Sequence, residues 1–383
     1  MSAREITQWL EDKRTAMERD IALLVNENSF TEHVEGGART AALVRERFVL
    51  PGLSAREIAS DSYAPHLVFE SAGRADAAPI VLVGHYDTVF PPGTFEGYRE
   101  DGDLLRGPGV LDMKGGLVVV RTALEALAMT VGLDALPPLR VVVVADEEIG
   151  SPEGKDVIRA AATGAQSALV FEAGRAEDKI ITMRKGTGVM RVTVTGKAAH
   201  AGNDHQSGAN ALWALARFVD RVQQLTAYER GVTVNVGRIQ GGQSKNTVPD
   251  HATADVDLRF LTVQDAEALI AAIQVAAREA AEFVQGTRIE LSGGVARMPL
   301  EKTPASSALM EAYAVAAAAA GLGHAEAALI GGGSDASTTS ALGIASIDGL
   351  GPRGKGFHTQ DEQVERASLV PKATALAQFL FAR

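Results

Sequence analysis

Apolar and polar positions change their period twice along the chain. Ile6, Trp9, Leu10, Met17, Ile21 and Leu24 recur at roughly helical spacing, which predicts one amphipathic helix over the first 26 residues. Short apolar runs at Pro79 to His85, Leu139 to Ala145 and Ala168 to Phe171 then alternate with helix-like stretches such as Gly115 to Ala128. Runs apolar at every position suit strands buried on both sides, so this part reads as a mostly parallel sheet with helices on both faces. The middle has another rhythm. Gly188 to Gly196 alternates as a strand, Gly208 to Leu225 is helical, and Val232 to Ile239 and Ala252 to Phe260 are strands. Val263 to Ala281 is helical and Arg288 to Leu291 a strand, completing the βαββαβ order of a ferredoxin-like unit. After about residue 297 helix returns, followed by the apolar Ala327 to Ile330, the turn GGGSDAS, a short strand near Ile344 to Ile347 and a closing helix from Ser368. The stretch AVAAAAAG, Ala314 to Gly321, reads as helix rather than linker because alanine is the best helix former. The expectation is an α/β domain of residues 1–185 and 298–383, interrupted by a smaller inserted domain, 186–297.

Composition narrows the class more than the function. A chain of 383 residues with 46% hydrophobic and 22% charged residues can bury a core and is not of disordered type. Its formal net charge of −11 repels phosphate backbones and argues against a nucleic-acid partner. With no cysteine, disulfides, thiolate zinc sites and thiol nucleophiles are excluded. The start MSAREITQWLEDKRTAMERD lacks the basic head and apolar core of a signal peptide, and no apolar run of spanning length follows, so no membrane association is expected. A cytoplasmic location is expected; a periplasmic chain given a new Met1 after signal removal would read the same way.

Chemistry gathers where the apolar strands run out. His85, Asp146, Glu147, Glu148 and Glu172 all fall at such ends, and ligands of open α/β sheets sit outside the carboxyl ends of strands. Alone, His85 and Asp87 fit a surface pair as well as a ligand pair, and Asp146-Glu147-Glu148 fits a solvated acidic turn. Their company alters the picture: Asp112 in RGPGVLDMKGG, Glu172 in LVFEAG and His358 in GKGFHT. Carboxylates crowded at one sheet mouth raise one another's pKa unless a positive charge compensates. Two divalent cations would supply it. With imidazole and carboxylate donors and no thiolate, Zn2+ leads and Co2+ or Mn2+ are tolerable.

HYDT, GPGVLDMKGG, ADEEIGS, FEAG, GKAAHAG, NTVP, GGGSDA and the late His358, in that order over nearly the whole chain, resemble the M20 metallopeptidases, especially their glutamate carboxypeptidase-like branch. The resemblance implies a zinc-dependent catalytic domain with an inserted dimerisation or lid domain. In it Asp112 bridges two metals, His85 and Glu172 complete the ligands of one, and Glu148 and His358 those of the other. Glu147 is implied to be the general base acting on a metal-bound water, and Asp87 to accept a hydrogen bond from His85. The family also implies a cis peptide between Asp112 and Met113, and an oxyanion donor, His200, supplied from the neighbouring subunit of a homodimer.

Substrate contacts are less legible. Asn246 in KNTVP, Arg259 in VDLRF and Arg297 in GGVARMP resemble family positions near the substrate, since guanidinium meets carboxylate through two hydrogen bonds. For Arg259 and Arg297 an ordinary salt bridge is an equal reading. The Gly331 to Gly333 run lacks the Gly-Lys-Ser/Thr ending of a phosphate loop, so Gly333 is taken to close around the substrate. Glu172, where the resemblance has Glu in carboxypeptidase and deacylase members and Asp in several aminopeptidase members, tilts the expectation toward cleavage next to a C-terminal or N-acylated amino acid without identifying its side chain. The expected substrate is a small peptide or N-acyl amino acid, with release of a terminal amino acid of glutamate type as the first hypothesis. A deacylase of N-acyl amino acids or N-acetyl-diamino acids keeps the same site. A non-catalytic binding protein would lack a base or ligand, and none of those positions is missing.

Overall fold

The computed structural model describes residues 3–383. They divide into two units. The first comprises residues up to Met183 with Lys302–Ile330 and Ser334–Arg383; the second comprises Arg184–Glu301 and Gly331–Gly333.

The first unit is built on a six-stranded sheet in the spatial order Ser54–Ile58, His66–Glu70, Leu139–Val144, Ile80–His85, Ser167–Val170, Ala345–Ile347. The four strands from Leu139–Val144 to Ala345–Ile347 run parallel, and the two at the other edge are antiparallel. Every residue of Ile80–His85 is buried, as a strand covered on both faces requires. Helices meet the sheet in two groups: Gly115–Thr130, Pro304–Ala319 and Leu369–Phe381 in one, Gly154–Ala162 and Ala336–Ser340 in the other. Gly116 lets the first group approach closely, since a Cβ there would lie 2.2 Å from the Phe171 carbonyl oxygen. The N-terminal segment departs from the single helix expected. It forms Ala3–Glu11 and Arg14–Val25, with a turn closed by the Lys13 N–H on the Leu10 carbonyl. The polar run Glu11 to Arg14 has no apolar side chain to hold it on the core, so the chain turns there while Ile6, Leu10, Met17 and Ile21 all stay buried. Ala327 to Ile330 forms no strand.

The second unit is ferredoxin-like. Its antiparallel sheet has the order Thr233–Gly241, His251–Phe260, Gly186–Thr195, Arg288–Arg297, with the helices Ala211–Gln223 and Val263–Phe283 packed on it over a separate apolar core. Burial alternates along Gly186–Thr195, matching its sequence alternation. The last strand runs well past Leu291. Gly293 and Gly294 carry φ of 90° and 146° within it, and a register shift follows between Val295 and Arg297. Among the described residues no helix is long and apolar enough to cross a membrane.

Candidate active site

Parallel pairing brings three strand ends to one edge of the sheet. His85 is the register partner of Val144, and Val83 of Val170, so the residues that follow, Glu147 and Glu148 on one side and Glu172 on the other, flank His85. Asp112 comes from the turn Val110–Lys114, where the chain enters the helix Gly115–Thr130; the Asp112–Met113 peptide is cis. The fifth member arrives from the far end of the sequence. Gly354–Lys355 and Gln363–Glu365 pair as a short hairpin, and His358, with φ of 62°, sits in its loop.

Two groups of side chains at this edge could each hold a metal ion: His85, Asp112 and Glu172, and Asp112, Glu148 and His358. Asp112 belongs to both and divides its oxygens between them. Its Oδ1 is 3.3 Å from His85 Nε2, and its Oδ2 is 3.3 Å from His358 Nε2. Glu172 Oε1 lies 3.6 Å from the first imidazole and Glu148 Oε2 lies 3.0 Å from the second. The donors are imidazole nitrogens and carboxylate oxygens, a set that suits zinc and similar divalent ions, and the carboxylates Asp112, Glu148 and Glu172 would offset most of the charge of two of them.

Orientation of these donors is itself built in. Nδ1 of His85 lies 3.1 Å from the Asp87 carbonyl oxygen and 3.2 Å from its Oδ1, both acceptors, so Nδ1 carries a proton and Nε2 is turned toward Asp112 and Glu172. The same Asp87 carboxylate accepts the backbone N–H groups of Glu147 and Glu148, each at 3.1 Å, and the Thr31 hydroxyl at 2.8 Å. One buried anion therefore fixes the His85 ring and the acidic turn together. Asp146 serves the other flank of that turn by accepting the N–H groups of Glu153 and Gly154 at 2.8 and 2.9 Å.

Charge within the cluster is strongly redistributed. Burial by itself raises Asp112, but hydrogen bonds from His358 and His85 outweigh it and hold this carboxyl well below the usual range. Burial and the Asp112 charge push Glu172 well up, and burial pushes Glu148 up to about 7. Burial opposes a charged His85, yet its bonds to Asp112 and Asp87 raise it well above the ordinary value. Hydrogen bonds to Asp112 and Glu148 raise His358 to about 10. In the protein alone, protons shared among imidazoles and carboxylates thus do the neutralising that cations would do.

Three further groups support the site, and nothing in the sequence pattern sets them apart. Glu362, 1% exposed, accepts the N–H groups of Gly109, Leu111 and Asp112 at 3.0, 2.8 and 2.9 Å. Lys114 is fully buried and donates to the carbonyls of Leu24 and Glu27 at 3.0 and 2.9 Å, anchoring the Asp112 turn to the end of the helix Arg14–Val25. Thr31 is the third, through its bond to Asp87.

Other residues singled out in the sequence lie in the second unit. His200 and Asn246 are neighbours: His200 is the register partner of Thr247, and the Asn246 carbonyl accepts the Ala201 N–H at 2.9 Å. His200 Nδ1 accepts the N–H groups of Gly202 and Asn203, both at 3.1 Å, so the ring proton sits on Nε2. Arg297 and Gly333 are also together, for a Cβ at Gly333 would lie 2.4 Å from Arg297 Cδ. Arg259 and Arg297 are both register partners of Thr187, one on each side of it. Arg259 makes a two-pronged ion pair with Asp257 on its own strand, both bonds at 2.9 Å.

Residues 182–284 match the family model of the M20 peptidase dimerisation domain. Carboxypeptidase G2 of Pseudomonas sp. (strain RS-16) is 27% identical over 377 residues, 97% of this chain and 89% of that protein. Residues 182–284 thus resemble an M20 dimerisation domain, and the chain is similar to an M20-type carboxypeptidase over nearly its whole length. Acetylornithine deacetylase of Myxococcus xanthus is 34% identical over 206 residues, 50% of this chain and 52% of its own. The solved aminopeptidase PepT from Bacillus cereus ATCC 10987 shares the fold, with a TM-score of 0.80 at 20% identity over 96% of this chain and 98% of that one. These similarities indicate a metal-dependent peptidase or amidohydrolase.

Proposed function

We propose that the chain is a dinuclear-metal amidohydrolase that releases a terminal amino acid, of glutamate type, from a peptidyl or acyl group. One observation carries this reading: a single carboxylate, Asp112, presents one oxygen to each of two imidazoles that belong to separate donor trios. Metal ions held by those trios, Zn2+ first and Co2+ or Mn2+ as alternatives, would neutralise the carboxylates and polarise the scissile carbonyl. Glu147 belongs to neither trio, and its backbone is fixed by Asp87 at the edge of both, so proton transfer is assigned to it. It takes the proton of the attacking water and delivers it to the departing nitrogen, which must be protonated to leave. His200, with its proton on Nε2, donates to the developing oxyanion. Asn246, Arg297 and Gly333 contact the substrate, and Arg259 does so on exchanging Asp257 for the substrate carboxylate.

Rates on a panel of N-acyl amino acids that differ only in the released residue test the substrate class. A preference for glutamate of about 10-fold or more, abolished by a chelator and restored by Zn2+, is the expected outcome; one recognised charge pair separates substrates by at least that much. The similarity to a deacetylase favours a second reading, in which N-acetyl-diamino acids turn over fastest and acyl-glutamates slowly. Uniformly poor rates on all of them would remove both.

Its matched dimerisation domain supports a homodimer, and in this reading His200 serves the partner's site. Mixing inactive His200→Ala with inactive His358→Ala should then restore part of the activity, because one hybrid site per mixed dimer is intact. No recovery, with subunit exchange verified by a mass-tagged variant, removes the action in trans.

A further inference from the structure

We propose that Glu362 is a positioning residue that sets the Asp112 turn and the His358 hairpin in register and so completes the Asp112–Glu148–His358 position; this rests on the two-metal reading above. Glu362 lies four residues beyond His358, at the base of the hairpin whose loop carries that histidine. Its carboxylate is divided between successive backbone donors: Oε1 accepts Leu111 and Asp112 at 2.8 and 2.9 Å, and Oε2 accepts Gly109 at 3.0 Å. Those N–H groups belong to the turn that aims Asp112. A group 1% exposed and holding both chain segments acts on the distance between two donors, His358 Nε2 and Asp112 Oδ2, now 3.3 Å apart.

The neighbouring strand pairing does not achieve this alone. Gln363–Glu365 is also paired with Leu104–Arg106, which makes the hairpin part of a separate small four-stranded sheet. That contact stops several residues short of Asp112; Lys114 ties the turn to the helix Arg14–Val25, and the Glu362 carboxylate supplies hydrogen bonds between the hairpin and the turn Gly107 to Asp112. Carbon-for-carbon, glutamine in its place keeps one acceptor oxygen but points an NH2 at a backbone donor, so at least one bond is lost and its donor is left buried without a partner.

Stepwise metal titration of the metal-free full-length protein, wild type against Glu362→Gln and Glu362→Ala, decides the matter. With Glu362→Gln the weaker of two binding steps is expected to fall about 10- to 100-fold in affinity, the usual range when a group orienting a metal ligand is removed, while the other step moves by less. The Co2+ visible spectrum of the doubly loaded protein should change in its second equivalent. Glu362→Ala should show a larger loss in the same step; if it does not fold, Glu362→Gln is sufficient. Unchanged affinities and an unchanged Co2+ spectrum in folded Glu362→Gln would overturn the assignment, even if its melting temperature fell, since that is all a merely structural group would do. Wild-type protein that binds fewer than two ions overturns the two-metal reading itself, a separate outcome.

Discussion

Glu147→Gln is expected to keep both metals and to lose hydrolysis by about 10²–10⁴-fold, the usual contribution of a positioned proton carrier. The side chain is nearly buried, and its amide N–H is held by Asp87 Oδ1 at 3.1 Å, so an isosteric amide fits the same place. Glu147 stands outside both donor trios, and its loss therefore subtracts no ligand. Metal content by elemental analysis and turnover on the best panel substrate, measured on the same preparation, check it. Retained activity removes Glu147 from its role; lost metal moves it among the ligands.

Asp112→Asn should have the largest effect on metal content. An amide presents one neutral oxygen where a carboxylate presents two anionic ones, and Asp112 spends an oxygen on each imidazole, so both positions weaken together. His358→Ala should behave differently. It leaves His85, Asp112 and Glu172 in place, so about one ion remains against about two in the parent protein. The contrast between these variants is the test of bridging. Equal losses in the two would mean that the trios fill and empty as one unit, and retention of both ions in Asp112→Asn would remove the bridge.

What the sequence could show follows from how locally each feature is encoded. The central strands are apolar at every position and end on His85, on Glu147 with Glu148, and on Glu172, so both the sheet and the residues at its mouth are visible from composition along a few residues. The inserted unit is equally plain because burial and alternation coincide along Gly186–Thr195. Glu362 is invisible by the same logic. It is one acid among Asp361, Glu362 and Glu365, and only the fold shows that it alone is turned inward onto the Asp112 turn. Asp87 is legible as a neighbour of His85 but not as the acceptor for Glu147 and Glu148, since that contact spans sixty residues and depends on strand register. The break between Ala3–Glu11 and Arg14–Val25 was hidden because the apolar period continues across it.

The order of the ligands along the chain has a consequence for biosynthesis. His85, Asp112 and Glu172 are all translated before the inserted unit begins, together with five strands of the six-stranded sheet. His358 follows only after that unit and the helix Pro304–Ala319 have left the ribosome. A growing polypeptide accordingly owns one donor trio early and the other late, so on the two-metal reading an emerging chain would have its first ion position before the second exists.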